Sequence, residues 1–380
     1  MRSALFTTPC IGTPPDNASD AVRHLTMMLG LHGQQVTGTT DASVSVASVL
    51  NALSDGPDIR VLGLMIVDDQ DPDTSEILSA APLSQLGYPL ISVTGDGSAP
   101  MTLGWATVSV PLRENRDTCS AEITLDVSFL PFPGESLTET GGGIVDMLVR
   151  EVEDISRTLG RTVIQLRQLT YPPGSFPDPL DLSFRNHGFT PVLVEEQSRV
   201  TIPAQISVPE PPPGYTVESA WGLMPDGADA QLMNGLCRLL TVFSADVPTG
   251  ELVSQPQDWD SARLARADAD TRATGREVLW AVVRNTSGIP VAASALSRHP
   301  EDTAGAAAQI LTVVDPAYRR RGFARIVKSM LARTARDTGI NRIHTSTVET
   351  VAPIRILNAE WNAETLARSV YWQKHLTEGG

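Results

Sequence analysis

Slid over itself by 179 residues, the chain lays glycine on glycine and apolar residue on apolar residue. Gly143 falls on Gly322, Gly160 on Gly339 and Ile164 on Ile343, with Met147, Leu148 and Val152 on Ile326, Val327 and Leu331. A period this long repeats a whole domain, not a short solenoid unit. The chain is therefore expected to hold two copies of one plan. At 380 residues it is long enough for each copy to bury its own core. Pro203, Pro209 and the run Pro211 to Pro213 lie between the halves in a stretch with little apolar periodicity, which reads as a semi-rigid linker. The expected division is 1–202, a linker over 203–214, and 215–380.

Each half shows the same order of elements. The first reads as helices over 21–31 and 42–53, then strands over 60–68, 103–112 and 121–130. A loop containing Gly134 and Gly141 to Gly143 follows, then a helix over 144–159, a strand over 162–169, a short helix and a strand over 190–202. The second reads as a strand over 215–222, helices over 228–243 and 259–274, and strands over 277–285, 290–297 and 306–314. A helix over 322–338, a strand over 342–347, a short helix over 351–360 and a last strand over 365–375 complete it. Strands and helices interleaved in this way predict an α/β (α+β) fold, two domains in tandem, each a mixed central sheet flanked by helices.

The densest chemical signal is the passage from the strand ending at Val314 into the helix beginning near Phe323. It carries Arg319, Arg320, Arg321, Gly322 and Arg325. A helix N-terminus offers unpaired N–H groups and the positive end of the helix dipole, and both favour phosphate, as do the arginines. Gly322 lets backbone approach a ligand without a Cβ in the way. Phe323, Ile326, Val327, Met330 and Leu331 form one apolar face, and Arg325, Lys328, Arg333 and Arg336 fall mostly on the other. The spacing lacks the GK[ST] ending of a Walker loop and the three glycines of a dinucleotide fingerprint. In the first half, Thr140, Gly143 and Val145 occupy the same place with no arginine and with Glu135 and Glu139 nearby. That copy is expected to be silent.

The order Arg319-x-x-Gly322-x-Ala324 resembles the Q/R-x-x-G-x-G/A signature of GCN5-related N-acetyltransferases (GNATs). The duplicated plan resembles tandem GNATs of the actinobacterial mycothiol synthase-like type. Gln309, Thr312 and Val314 fit one of that group's strand motifs, with Leu311 in place of an acid. Thr345, Glu349, Thr350, Ala352 and Pro353 fit another, with Thr347 and Val351 in place of asparagines. Asn358 fits the closing Asn, and Asn362 and Ala363 stand where Gly-Phe is usual; His187, Gly188 and Phe189 keep that pair in the first half. The resemblance implies acyl transfer from acetyl-CoA or another acyl-CoA to a small amine. It implies a cofactor site made by Thr312, Val313, Val314, Arg319, Arg320, Arg321, Gly322, Phe323, Ala324 and Arg325. Many members use a tyrosine where Asn358 stands; Asn358 is a catalytic candidate because asparagine can hydrogen-bond a sulfur, but it supplies no proton at neutral pH. Tyr371 lies too far along the chain to replace it by simple register. His344 and Glu349, at or just past the strand 342–347, are the candidate bases. Glu349 reads equally well as a cap of the following helix.

Composition bounds the rest. A net charge of −15 disfavours nucleic acid and anionic membranes, and it makes the local run of arginines stand out. Three cysteines and six scattered histidines form neither a disulfide framework nor a metal pattern. No apolar run reaches the length of a membrane span, and the start of the chain is no signal peptide, so a cytoplasmic location, as monomer or homodimer, is expected. Two other functions stay open: a transferase taking its acyl group from a phosphopantetheinyl acyl carrier protein, and a non-catalytic CoA-binding or regulatory module.

Overall fold

The computed structural model describes residues 1–224, 229–348, 356 and 358–377. Its contacts divide it into two units. The first comprises residues 1–195, 249–254 and 366–380, and the second 196–248 and 255–365. These differ from the expected 1–202, 203–214 and 215–380 at both ends. The boundary falls inside a strand, and the last strand of the chain belongs mostly with the first unit.

The first unit builds on β1 (Arg2–Phe6), β2 (Ile59–Val67), β3 (Leu90–Ile91), β4 (Thr102–Pro111), β5 (Thr118–Leu125) and β6 (Val163–Thr170). Its sheet runs β3-β1-β2-β4-β5-β6 and continues into β13 (Glu364–His375). β13 pairs with β6 antiparallel, from Arg368 opposite Thr170 to His375 opposite Val163. It is held there by Trp372, fully buried against Phe184, whose ring N–H donates to Gln168 Oε1 at 2.7 Å. α1 (Asp20–Thr37), α2 (Val46–Leu53) and α3 (Pro72–Ala80) belong to this unit. So do α4 (Glu139–Thr158) and α5 (Asp181–Asn186). α4 buries Ile144, Val145, Leu148, Val149 and Val152 in one core, and α1 and α2 bury Val22, Leu25, Met28 and Leu50 in another. β1 and α3 are absent from the sequence reading, being short and weakly periodic.

The second unit has β8 (Thr216–Trp221), α6 (Ala230–Asp246), α7 (Ser261–Ala273), β9 (Glu277–Arg284), β10 (Pro290–Arg298) and β11 (Ala306–Val314). α8 (Phe323–Asp337) and β12 (Arg342–Val348) follow. The strand order is β12-β11-β10-β9-β8. Phe323, Ile326, Val327 and Leu331 of α8 pack one face, while Leu232, Leu236 and Leu240 of α6 pack the other. β7 (Thr190–Thr201) runs through the boundary between the units. Fold class and, among the described residues, the order of the expected elements therefore follow the sequence reading; most of the helix expected over 351–360 lies outside the described residues.

Candidate active site

The site of the second unit starts with a defect in β11. Its register against β10 slips so that Ala295 faces Leu311 while Leu296 faces Gln309, leaving Ile310 as an extra residue. A bulge of this kind reverses the alternation of faces. Ala307 packs with α8, but past the bulge Leu311 and Val313 pack with α6, which turns Thr312 and Val314 toward α8. β11 pairs in parallel with β12 at Ala306, Ala307 and Ala308, opposite Arg342, Ile343 and His344. Beyond Ala308 that register ends, and the edge of β11 facing β12 is released.

The turn after β11 is braced from below. Buried Asp315 accepts from the Ala317 N–H at 2.9 Å and pairs with Arg238 of α6. Its own N–H donates to Val291 O at 2.9 Å. Arg319 turns back: its Nε donates to Val314 O at 3.1 Å, and it forms an ion pair with Asp246. It braces the turn. Arg320 is exposed at φ +60°. Arg321 donates to the Tyr215 hydroxyl at 3.2 Å and lies 5.4 Å from the Tyr318 ring centroid. Gly322 caps α8 at φ +82°, with no side chain to take up the first-turn amides and open space where a Cβ would project. Phe323 is buried, Ala324 part-buried, and Arg325 pairs with Glu360. Arg238, Asp246 and Tyr215 escaped the sequence reading because they come from distant parts of the chain, and Asp315 although it lies in the turn itself. Asp315 carried a local signal, as the Asp before Pro that caps a turn.

Lys328 departs from its expected place on the face of α8 away from the apolar one. Its ammonium donates to Asn358 Oδ1 at 2.6 Å, and the Asn358 amide donates to Thr347 Oγ1 at 3.2 Å. The residue as a whole is part-exposed, yet its charged end is densely surrounded, and burial lowers its pKa to about 8. It lines a small pocket with Val200, Gln309, Leu331, Ile343, Asn358 and Trp361, beside the point where β11 leaves β12. His344 sits at the last position of β12 that pairs with β11, level with Ala308. Alternation puts it on the sheet face opposite Ile343, Thr345 and Thr347, which are buried. His344 and Asn358 therefore serve opposite faces of the cleft. Glu349 lies outside the described residues. Tyr371 belongs to the first unit, where its hydroxyl donates to Glu195 and burial pushes its pKa up to about 12.

The first unit repeats this scaffold. Asp126 follows β5 as Asp315 follows β11. It accepts from the Ser128 N–H at 2.9 Å, pairs with His24 of α1, and donates its N–H to Leu103 O. Past that turn the two copies part. α4 begins at Glu139, not at 144 as the sequence suggested, and its cap Thr138 accepts from the Gly141 N–H at 3.1 Å. Gly143 is thus inside a helix and is no twin of the cap Gly322. Arg263 and Trp259, on and just before α7, stack on each other at 4.9 Å. Among the described residues there is no cluster of metal-ligating side chains and no helix long and apolar enough to cross a membrane.

Comparison with known proteins agrees with this architecture. Residues 246–353 match the model of the acetyltransferase (GNAT) family. A tandem GNAT protein from the clavulanic acid biosynthesis pathway, in a structure without AcCoA, aligns over 100% of this chain and 99% of its own, at 13% identity and a TM-score of 0.69. A GCN5-related N-acetyltransferase from Sphaerobacter thermophilus aligns over 100% and 96%, at 15% identity and a TM-score of 0.61. No curated protein matches significantly by sequence. The family match thus lies in the second half of the chain, and the whole chain shares the fold of the tandem GNAT protein.

Proposed function

We propose that the protein is an N-acyltransferase that carries an acetyl or other acyl group from acyl-CoA to a small amine, with its active site in the second unit. The observation that carries this reading is the start of α8. A glycine-capped N-terminus leaves its amides uncapped and its front open, with Arg320 and Arg321 alongside. Such an end suits a pyrophosphate through charge and N–H donors together. The released edge of β11 from Gln309 onward offers backbone groups to the amide-bearing pantetheine arm, as an added strand would. Thr312 and Val314 lie along that edge. His344, on the opposite face of the sheet, takes the role of base for the incoming amine.

Calorimetry with CoA, and thiol release from a panel of acyl-CoAs and amines, test the proposal. Binding with amine-dependent thiol release is the expected result. No binding overturns it. Binding without turnover supports a regulatory module instead, and turnover restricted to acyl carrier protein supports the alternative donor.

A further inference from the structure

The fold has placed a cation where it has no need of one. At the shared 179-residue offset Lys328 corresponds to Val149, which is fully buried in the core of the first unit. Asn358 has an equally clear counterpart. The Ala363 N–H bonds Asn358 O and the Asn362 N–H bonds Ala359 O; likewise the Phe189 N–H bonds Phe184 O and the Gly188 N–H bonds Arg185 O. Asn362 at φ +50° takes the left-handed position that Gly188 holds at +79°. These are two versions of one helix-ending motif, and they equate Asn358 with Phe184. One copy of the scaffold fills the site with valine and phenylalanine, the other with lysine and asparagine.

A densely surrounded ammonium costs free energy unless an anion or several acceptors meet it. Among the described residues the sole acceptor for Lys328 is Asn358 Oδ1, and no carboxylate of theirs pairs with it. Lysine only donates, so Oδ1 must be the amide atom facing it, and the bond to Thr347 Oγ1 fixes the other end. Among the described residues, those that line the pocket with Lys328 are neutral: Val200 from β7, Gln309 from β11, Leu331 from α8, Ile343 from β12, and Asn358 and Trp361 beyond. The nearby charges Arg325 and Glu360 pair with each other. The pocket is small and lies where β11 and β12 separate. It suits one small anionic atom.

Resting on the reading of the site as a thioester-using transferase, we propose that Lys328, positioned by Asn358, meets the departing thiolate and gives it a proton. The amine nitrogen bonds to the thioester carbonyl carbon, and as the adduct collapses the C–S bond breaks with its electron pair on sulfur. An N–H of Lys328 transfers its proton to that sulfur. The neutral lysine recovers a proton from solvent, and His344 takes the proton shed by the attacking amine and passes it to solvent. The lowered pKa of about 8 matches a thiol, whose ordinary value is about 8.5, so the transfer is close to balanced.

The test follows the thiolate absorbance of bound CoA against pH in the wild type, Lys328→Met and Lys328→Gln, each checked for folding by thermal melting. The bound thiol should titrate about 1–3 units lower in the wild type than in either variant. With a competent amine, both variants should lose about 100-fold in turnover on acyl-CoA, but little on a thioester with an aryl thiol leaving group that departs without protonation. CoA that binds with the same thiol titration in all three proteins overturns the assignment, as does an equal loss of turnover on both donors. CoA that fails to bind the wild type overturns instead the reading on which it rests.

Discussion

Helices α4 and α8 end alike and begin differently. Each closes at a left-handed glycine, Gly160 at φ +68° and Gly339 at φ +85°, and each leads into a strand that pairs in parallel with the one before the helix. Counted back from those ends, α8 starts at Phe323, whereas α4 extends five residues further, through Glu139 to Gly143. Those five residues stand in place of Tyr318 to Gly322. In α8 they form a turn held by Arg319 and open at a glycine; in α4 they coil into helix under a threonine that uses up an amide as its cap. A phosphate site at a helix start thus depends less on owning glycines than on leaving the first turn uncapped, and α4 has three glycines with no such opening. The same division runs deeper, where Lys328 and Asn358 replace Val149 and Phe184.

The largest expected effect comes from closing the open end. Gly322→Val puts a β-branched residue at positive φ, costing about 1–3 kcal/mol, and fills the space before the free amides. CoA affinity should fall about 100-fold by calorimetry. If Gly143→Val in α4 weakened CoA binding instead, the roles of the two copies would be reversed. Next is Lys328→Met, which makes the second unit resemble the first. The folded pKa of about 8 lies below the unfolded 10.5. The unfolded chain therefore binds more protons between those values, and wild-type stability rises as pH increases through that window. The variant should lose this rise and be more stable at pH 7 by up to about 3 kcal/mol, as read from denaturant melts at several pH values. Third, Arg321→Ala should lower CoA affinity about tenfold, the worth of one charge-assisted contact, with a shallower salt dependence. Thr138→Ala should cost about 1 kcal/mol of stability through its lost cap and leave CoA affinity unchanged. Smallest, Gly143→Ala should add about 0.5–1 kcal/mol, because Gly143 sits in a helix with open space around it, as a rise in Tm.

Most strands and helices were legible because their apolar periods are strong. β11 was expected over 306–314 and is found there. The start of α4 was misplaced because glycines at 141–143 argue locally against helix, while the Thr138 cap and the apolar face behind it decide for it. The cradle at Gly322 was legible because positive charge, glycine and an amphipathic helix are contiguous in sequence. Its bracing was not, since Asp246, Arg238 and Tyr215 reach it from elements far along the chain. Lys328 was placed on the face away from the apolar one because a periodicity argument ranks a lysine by its polarity. Nothing in α8 alone says that Asn358 lies within reach of its ammonium.

By itself the sequence determined the duplication, the order of elements and the basic glycine turn, because all three are written in local spacing and composition. Tertiary structure decided the rest. Which helix start is open, which arginine is committed to bracing, where the bulge at Ile310 reverses β11 and which cation is buried all depend on partners brought together from remote positions. Burial and capping are properties of a neighbourhood, and a neighbourhood exists only once the chain has folded.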